Sequence, residues 1–252
     1  MKYLKLIILV VLCSCNNSEK ETTQTTDIDS QQNDYATIPP PEIVANRYNV
    51  AFLIMDGVYN TELTAPFDIF QHTIFRDHIK PMNVFTVANT KQPIKTFEGM
   101  YILPDFDYTK DKLPKIDILV IPSAEHHLDT DLEDQVMLNF VKKVDGDAMF
   151  MTSHCDGAFV LAETGLLQNK VSTTFPSDID TMRERYPDLD IRKDVLFVHD
   201  GKYITSAGGA KSFEAALYLC EYLYGKEIAE SLAGGLVINW KLEDVPHIVV
   251  KN

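Results

Sequence analysis

From residue 48 onward, short apolar runs alternate with amphipathic patterns of helical period. The runs predict strands at 49–55, 83–88, 116–121 and 148–152, and the other patterns predict helices at 63–75, 131–144, 176–186, 213–224 and 227–236. Asp200-Gly201 predicts the turn of a β-hairpin. Strands without polar alternation are typical of a parallel sheet covered by helices on both faces. We therefore predict an α/β fold, a three-layer sandwich with a mainly parallel sheet.

The most informative position is Cys155, where the run at 148–152 leads into a helical pattern that begins at Gly157. A cysteine on a sharp turn between a buried strand and a helix is lifted away from the sheet, where a substrate can reach it. The positive end of the helix also favours thiolate over thiol. Because ligands of such sheets bind outside the carboxyl ends of the strands, Cys155 is the first candidate nucleophile.

Composition narrows the possible functions. The chain has 252 residues, of which 45% are hydrophobic, enough for one sizeable core. Its net charge of −14 argues against nucleic-acid binding, since such proteins usually carry the opposite sign. Beyond the N-terminal segment the only cysteines are Cys155 and Cys220, which is not a disulfide framework. Cys220 lies in the apolar stripe of a helical pattern, so we assign it to the core.

The N-terminus has the features of an export signal. Lys2 and Lys5 precede a short apolar run at 6–12, and Leu12-Cys13-Ser14-Cys15 resembles a bacterial lipobox. This predicts cleavage after Ser14 and attachment of acyl chains such as palmitate to Cys15. An ordinary secretory signal and an uncleaved anchor are the alternatives.

This N-terminus sets the predicted domain organisation. Residues 1–14 form the lipoprotein signal peptide, and 15–43, poor in large apolar residues, form a flexible tether. A globular domain follows at 44–240, and 241–252 are a C-terminal tail. The predicted location is the bacterial cell envelope, outside the cytoplasm, with lipid on Cys15 holding the protein to a membrane.

Three segments carry a resemblance to a known family: AFLIMDGVYNTELTAPFDIF at 51–70, the Cys155 turn, and 170–225. Together they resemble the DJ-1/PfpI family of the class I glutamine-amidotransferase-like superfamily. Within it the chain looks closest to the isonitrile-hydratase-like branch and to the sensing domains of related transcription regulators. The resemblance implies a flavodoxin-like fold with Cys155 on a nucleophile elbow, a small-molecule substrate or ligand, and no cofactor. It allows a homodimer, because relatives are often dimers.

The resemblance also assigns roles to individual residues. Glu62 matches the acidic residue beside the family's cysteine, although an acidic residue in the first turn of a helix has its own local stabilising role. Asp156 stands where relatives have Thr, Ala or His, and an anion there would raise the thiol pKa unless it were turned away or protonated. Phe175 stands where many relatives have the histidine base. His154 precedes the cysteine and is a candidate substitute, although successive residues usually point apart.

The loop after the strand ending LVIP is the candidate oxyanion site. Relatives tend to have two glycines there, whereas this chain has Ser123-Ala124, whose backbone N–H groups could still face a developing oxyanion. Glu125, His126 and His127 follow and are predicted at the pocket rim. Their spacing fits no standard zinc pattern, so we predict no metal.

Three functions remain open at this point. The first is a cysteine-dependent hydratase or lyase of the isonitrile-hydratase type, with Cys155 as nucleophile and Glu62 as its proton partner. The second is a non-catalytic ligand-binding or redox-sensing domain on the same scaffold. The third is a structural envelope lipoprotein with an inert cysteine.

Overall fold

The computed structural model describes residues 38–251 of the chain. The predicted signal peptide, the lipidation site Cys15 and the tether up to residue 37 lie outside the described residues. Within 38–251, no helix has the length and apolar character needed to cross a membrane.

Twelve strands and six α-helices make up the described chain. The strands are β1 (Tyr48–Leu53), β2 (Met82–Ala88), β3 (Ile94–Lys95), β4 (Tyr101–Ile102), β5 (Phe106–Asp107), β6 (Ile118–Ile121), β7 (Phe150–His154), β8 (Val171–Ser172), β9 (Asp190–Ile191), β10 (Phe197–Asp200), β11 (Tyr203–Ser206) and β12 (His247–Val249). The helices are α1 (Asn60–Gln71), α2 (Gln135–Asp145), α3 (Gly157–Glu163), α4 (Ile179–Arg185), α5 (Ser212–Tyr224) and α6 (Lys226–Gly235).

Eight strands form the central sheet, in the order β12-β10-β11-β7-β6-β1-β2-β5. Neighbours pair in parallel except β10 and β11, which form the antiparallel hairpin predicted at Asp200-Gly201. β1, β2, β6 and β7 are almost wholly buried, because each lies inside the sheet with helices over both faces. The predicted mainly parallel sheet is confirmed.

The two faces of the sheet have separate hydrophobic cores. One contains Phe52, Phe70 and Leu217 and is covered by α1, α5 and α6. The other contains Phe159 and Val141 and is covered by α2, α3 and α4. This arrangement confirms the predicted three-layer, flavodoxin-like sandwich.

The predicted domain boundaries at both ends need correction. The tail assigned to 241–252 contains β12, which pairs in parallel with β10 as an edge strand of the main sheet. Its run of three residues after Pro246 is too short to stand out as a strand in the sequence. At the other end, Ile43 packs partly buried against the second core, so ordered packing reaches into the predicted tether.

Candidate active site

Cys155 lies on the predicted elbow, between the end of β7 and the start of α3. Its φ of +52° is unusual for a residue with a side chain, and such a conformation costs about 1–2 kcal/mol. The surroundings hold it there: its N–H donates to the Ser206 carbonyl at 2.9 Å. Gly208 leaves the space for it, because a Cβ on Gly208 would stand 2.3 Å from the Cys155 Cβ. The fold therefore maintains a strained turn at the candidate nucleophile.

Glu62, in the first turn of α1, is only 5% exposed and lies close enough to Cys155 for its charge to raise the pKa of the thiol. Its two carboxylate oxygens each accept a backbone N–H, from Ser123 at 3.0 Å and from Gly209 at 3.0 Å. Burial raises the pKa of Glu62, while these N–H groups and the Cys155 thiol act in the opposite direction. The structure thus places Glu62 near Cys155, the residue that it was predicted to serve.

Asp156 is also turned toward the sulfur, with Oδ2 3.6 Å from Cys155 Sγ. Burial and, next, the negative charge of Asp178 raise the pKa of Asp156 to about 7. The Thr174 hydroxyl lies 3.0 Å from the Cys155 carbonyl oxygen and 3.2 Å from Asp156 Oδ1, yet it has one proton for these two contacts. A protonated Asp156 resolves the competition by donating to Thr174 Oγ1. Asp156 is therefore suited to act as an acid near neutral pH.

The electrostatics around Cys155 correct the expectation of a stabilised thiolate. Burial raises the pKa of the Cys155 thiol well above its usual range, and the charges of Glu62 and Asp156 raise it further. The positive end of the seven-residue α3 does not outweigh these effects. At neutral pH the resting site therefore holds a thiol, and attack by the sulfur needs a base that removes its proton.

The raised pKa of Asp156 predicts a specific pH dependence of stability. Between the unfolded pKa near 3.9 and the folded pKa of about 7, the folded protein holds one more proton, so stability falls as pH rises. Asp156→Asn removes this contribution. Between pH 5 and pH 8 we expect the free energy of unfolding of Asp156→Asn, measured by urea denaturation, to fall less than that of the wild type. The two decreases should differ by on the order of 2 kcal/mol.

Asp180→Asn is the matched control for this prediction. Asp180 lies on the neighbouring α4 with its side chain 88% exposed, so this variant should keep the wild-type slope. Equal slopes for Asp156→Asn and the wild type would show that Asp156 ionises in the folded protein as it does in the unfolded chain.

The predicted oxyanion pair, Ser123 and Ala124, is not free in this structure. Ser123 N–H donates to Glu62, and Ala124 N–H donates to His127 Nδ1 at 3.2 Å. Both residues are buried, but their N–H groups already have acceptors. A backbone oxyanion hole here would need those bonds to break.

The rim residues behave differently from one another. Glu125 and His126 are exposed, and His126 Nδ1 lies 3.2 Å from Asp129 Oδ1. His127 is turned inward, and burial lowers its pKa to about 3, so its ring is neutral. Among residues 38–251, no three His, Cys, Asp or Glu side chains are grouped so that they could hold a metal ion.

The structure does not bring His154 into the site. Successive residues of a strand point to opposite faces, and His154 is grouped with Phe70 and Leu219 of the core on one face of the sheet. Its Nδ1 is 2.9 Å from Ser206 Oγ, and burial lowers its pKa to about 3. His154 therefore does not replace the histidine missing at Phe175, whose side chain is 38% exposed.

Several residues of the site were not identified from the sequence. Tyr59 stacks on Phe97 with ring centroids 4.6 Å apart, and burial together with the charges of Cys155 and Asp156 raises the pKa of Tyr59. Thr174 and the Gly208-Gly209 turn were also missed. The glycine pair in SAGGAK was the available signal, since adjacent glycines often mark a close backbone approach.

The fold and site define a class: flavodoxin-like α/β proteins with a buried cysteine on a strand-to-helix elbow and an adjacent glutamate. The family model described as "DJ-1/PfpI family" matches residues 48–222, and the chain belongs to that family.

Known relatives include both enzymes and regulators. Protein dj-1beta of Drosophila melanogaster is 28% identical over 61% of this chain and 81% of its own length, and its crystal structure superposes with a TM-score of 0.65. Isonitrile hydratase of Pseudomonas putida is 26% identical over 72% of this chain and 74% of its own length. The HTH-type transcriptional regulator CdhR of Pseudomonas aeruginosa is 29% identical over 58% of this chain but only 42% of its own length.

Proposed function

We propose that this protein is a cysteine-dependent hydratase or lyase-type enzyme that acts on a small uncharged molecule. The observation that carries the proposal is the buried group formed by Cys155, Glu62 and Asp156. The two carboxyl groups differ in environment, because Glu62 accepts two backbone N–H bonds whereas a protonated Asp156 donates to Thr174 Oγ1. This difference suits Glu62 to accept a proton and Asp156 to supply one.

The isonitrile hydratase relative suggests the first substrate to test, and the steps balance as follows. Glu62 takes the thiol proton, and the Cys155 sulfur forms a bond to the terminal carbon of the isonitrile. That carbon receives a proton from Asp156, which leaves a thioimidate with a C=N bond. Water then adds its oxygen to this carbon and a proton to the nitrogen. As the C–S bond breaks, the Glu62 proton returns to the sulfur, the hydroxyl proton passes to Asp156, and an N-substituted formamide is released.

The charge around the sulfur favours neutral substrates. The acidic groups whose charges raise the pKa of the nearby Tyr59 include Asp156, Glu62 and Glu125. Lys211, close to the Gly208-Gly209 turn in sequence, is paired with Glu214 at 2.8 Å. An anionic substrate would meet the like charge of the buried Glu62, and a site of low dielectric penalises such a contact strongly.

A matched pair of substrates tests the proposal. We expect the protein to convert ethyl isocyanoacetate, which is neutral, to the formamide, as measured by NMR. The isocyanoacetate anion has the same reactive carbon, and its kcat/KM should be at least about tenfold lower because of like-charge repulsion. If neither compound gives formamide, isonitrile hydration is excluded as the activity. If the anion is converted faster than the ester, the predicted preference for neutral substrates is wrong.

A ligand-binding role is the second candidate. It is favoured by the raised pKa of the Cys155 thiol and by the engaged N–H groups of Ser123 and Ala124, which leave no preformed oxyanion hole in this loop. The same raised pKa argues against redox sensing, because thiols oxidise through the thiolate. Saturable binding of the neutral ester without turnover, seen by calorimetry, would favour this candidate.

We also propose that lipid on Cys15 holds the protein to a membrane of the bacterial envelope. The support is the lipobox-like sequence, which ends at a cysteine after a short apolar run. A palmitate analogue fed to expressing cells should label the wild type, whereas Cys15→Ala should be unlabelled. Equal labelling of the two proteins would contradict lipidation at Cys15.

A further inference from the structure

We infer that the side-chain hydroxyl of Ser123 is a catalytic group of this site, donating a hydrogen bond to the Cys155 sulfur while that sulfur carries negative charge. The inference rests on the proposed role of Cys155 as nucleophile. It goes beyond that role, because it assigns stabilisation of the anion to a side chain and not to the backbone of the same loop.

The position of Ser123 follows from the sheet register. Ile121 of β6 pairs with Ser153 of β7. Ser123 and Cys155 each lie two residues further along, so they follow the ends of these two neighbouring strands side by side. Glu62 links the two residues, since it accepts the Ser123 N–H at 3.0 Å and lies close enough to Cys155 for its charge to raise the pKa of the thiol. Ser123 is therefore held next to Cys155.

The hydroxyl of Ser123 has no competing partner. The residue is fully buried, and no atom of the described chain meets hydrogen-bond geometry with Ser123 Oγ. A buried hydroxyl without a partner normally costs about 1–3 kcal/mol, so its presence needs a reason. Its effect on Cys155 supplies one, because the hydroxyl lowers the pKa of the thiol against burial and the two carboxylates.

The backbone cannot easily perform this task. Ser123 N–H and Ala124 N–H are engaged by Glu62 and His127. When Glu62 has taken the thiol proton, the sulfur becomes a buried anion and needs a donor. Because no other group holds the Ser123 hydroxyl, rotation about the Cα–Cβ bond can bring it into hydrogen-bond geometry with the sulfur at that moment.

The test is the pH dependence of Cys155 alkylation by iodoacetamide in the full-length protein, with the modified cysteine identified by peptide mass spectrometry. Only the thiolate reacts, so loss of its donor should shift the rate profile to higher pH. For Ser123→Ala we expect a roughly tenfold lower alkylation rate at pH 8 and a difference that narrows as the thiol ionises. Ser123→Gly, which adds no volume, should behave in the same way.

Ser153→Ala is the matched control. Ser153 is also fully buried with an unpartnered hydroxyl, two residues before Cys155, and is not among the groups that shift the pKa of the thiol. Its profile should stay within about twofold of the wild type. Unchanged profiles for both Ser123 variants would overturn the Ser123 role alone, and so would a loss of rate that is equal at every pH. Failure of the nucleophile itself is a separate result: a folded Cys155→Ala that keeps wild-type kcat/KM refutes it, whatever the alkylation profiles of the Ser123 variants.

Discussion

Replacement of Cys155 by alanine is expected to abolish formamide production, with kcat/KM falling by roughly a thousandfold or more. Glu62 and Asp156 would remain, but a carboxylate is a much weaker nucleophile than a thiolate and adds to the isonitrile carbon far more slowly. The fold should persist, because the strained φ of Cys155 is held by the Ser206 carbonyl and by the close approach of Gly208, not by the sulfur. Initial rates of the variant and the wild type on ethyl isocyanoacetate measure the effect.

Cys220→Ala is the control for this prediction. Cys220 lies in α5 within the core beneath α1 and α6, and it is fully buried. Its loss should cost about 1–2 kcal/mol of stability and leave kcat/KM nearly unchanged. If Cys155→Ala kept substantial activity while remaining folded, a covalent role for the sulfur would be excluded.

The sequence predicted those parts of the fold that depend on long apolar patterns. The central strands and the large helices appear where the runs and helical periods predicted them, because burial on both faces leaves a strong signal. The short strands were not predicted. β3 and β4 have two residues each, and β12 has three, so their pairing depends on neighbours that only the folded chain provides.

The site shows the same division. The Cys155 elbow is encoded locally by strand, turn and helix, and the resemblance supplied Glu62. The engagement of the Ser123 and Ala124 N–H groups could not be predicted, since their acceptors, Glu62 and His127, are placed by tertiary packing. The thiolate was wrongly expected for the same reason: the local helix favours an anion, but burial beside two carboxyl groups is a property of the fold.

Gly157→Ala is expected to destabilise the fold by roughly 3 kcal/mol or more, measured by urea denaturation. Gly157 is the first residue of α3, where alanine alone would add about 0.5–1 kcal/mol of helix stability. The Cβ, however, would stand 2.1 Å from the Ile121 carbonyl oxygen. The position of the Cβ is fixed by the backbone of α3, and the Ile121 oxygen belongs to the backbone of β6. Relief of the clash therefore requires α3 to move away from β6, against a tightly packed core.

Gly234→Ala separates this clash from helix propensity. Gly234 lies in α6, and a Cβ there meets nothing within 4 Å, so alanine should be neutral or slightly stabilising. Because Gly157 is two residues after Cys155, movement of α3 would also shift the sulfur from Glu62, and activity should fall along with stability. Equal stability of Gly157→Ala and the wild type would show that α3 yields easily, and the elbow would then not be the rigid element that the proposed chemistry requires.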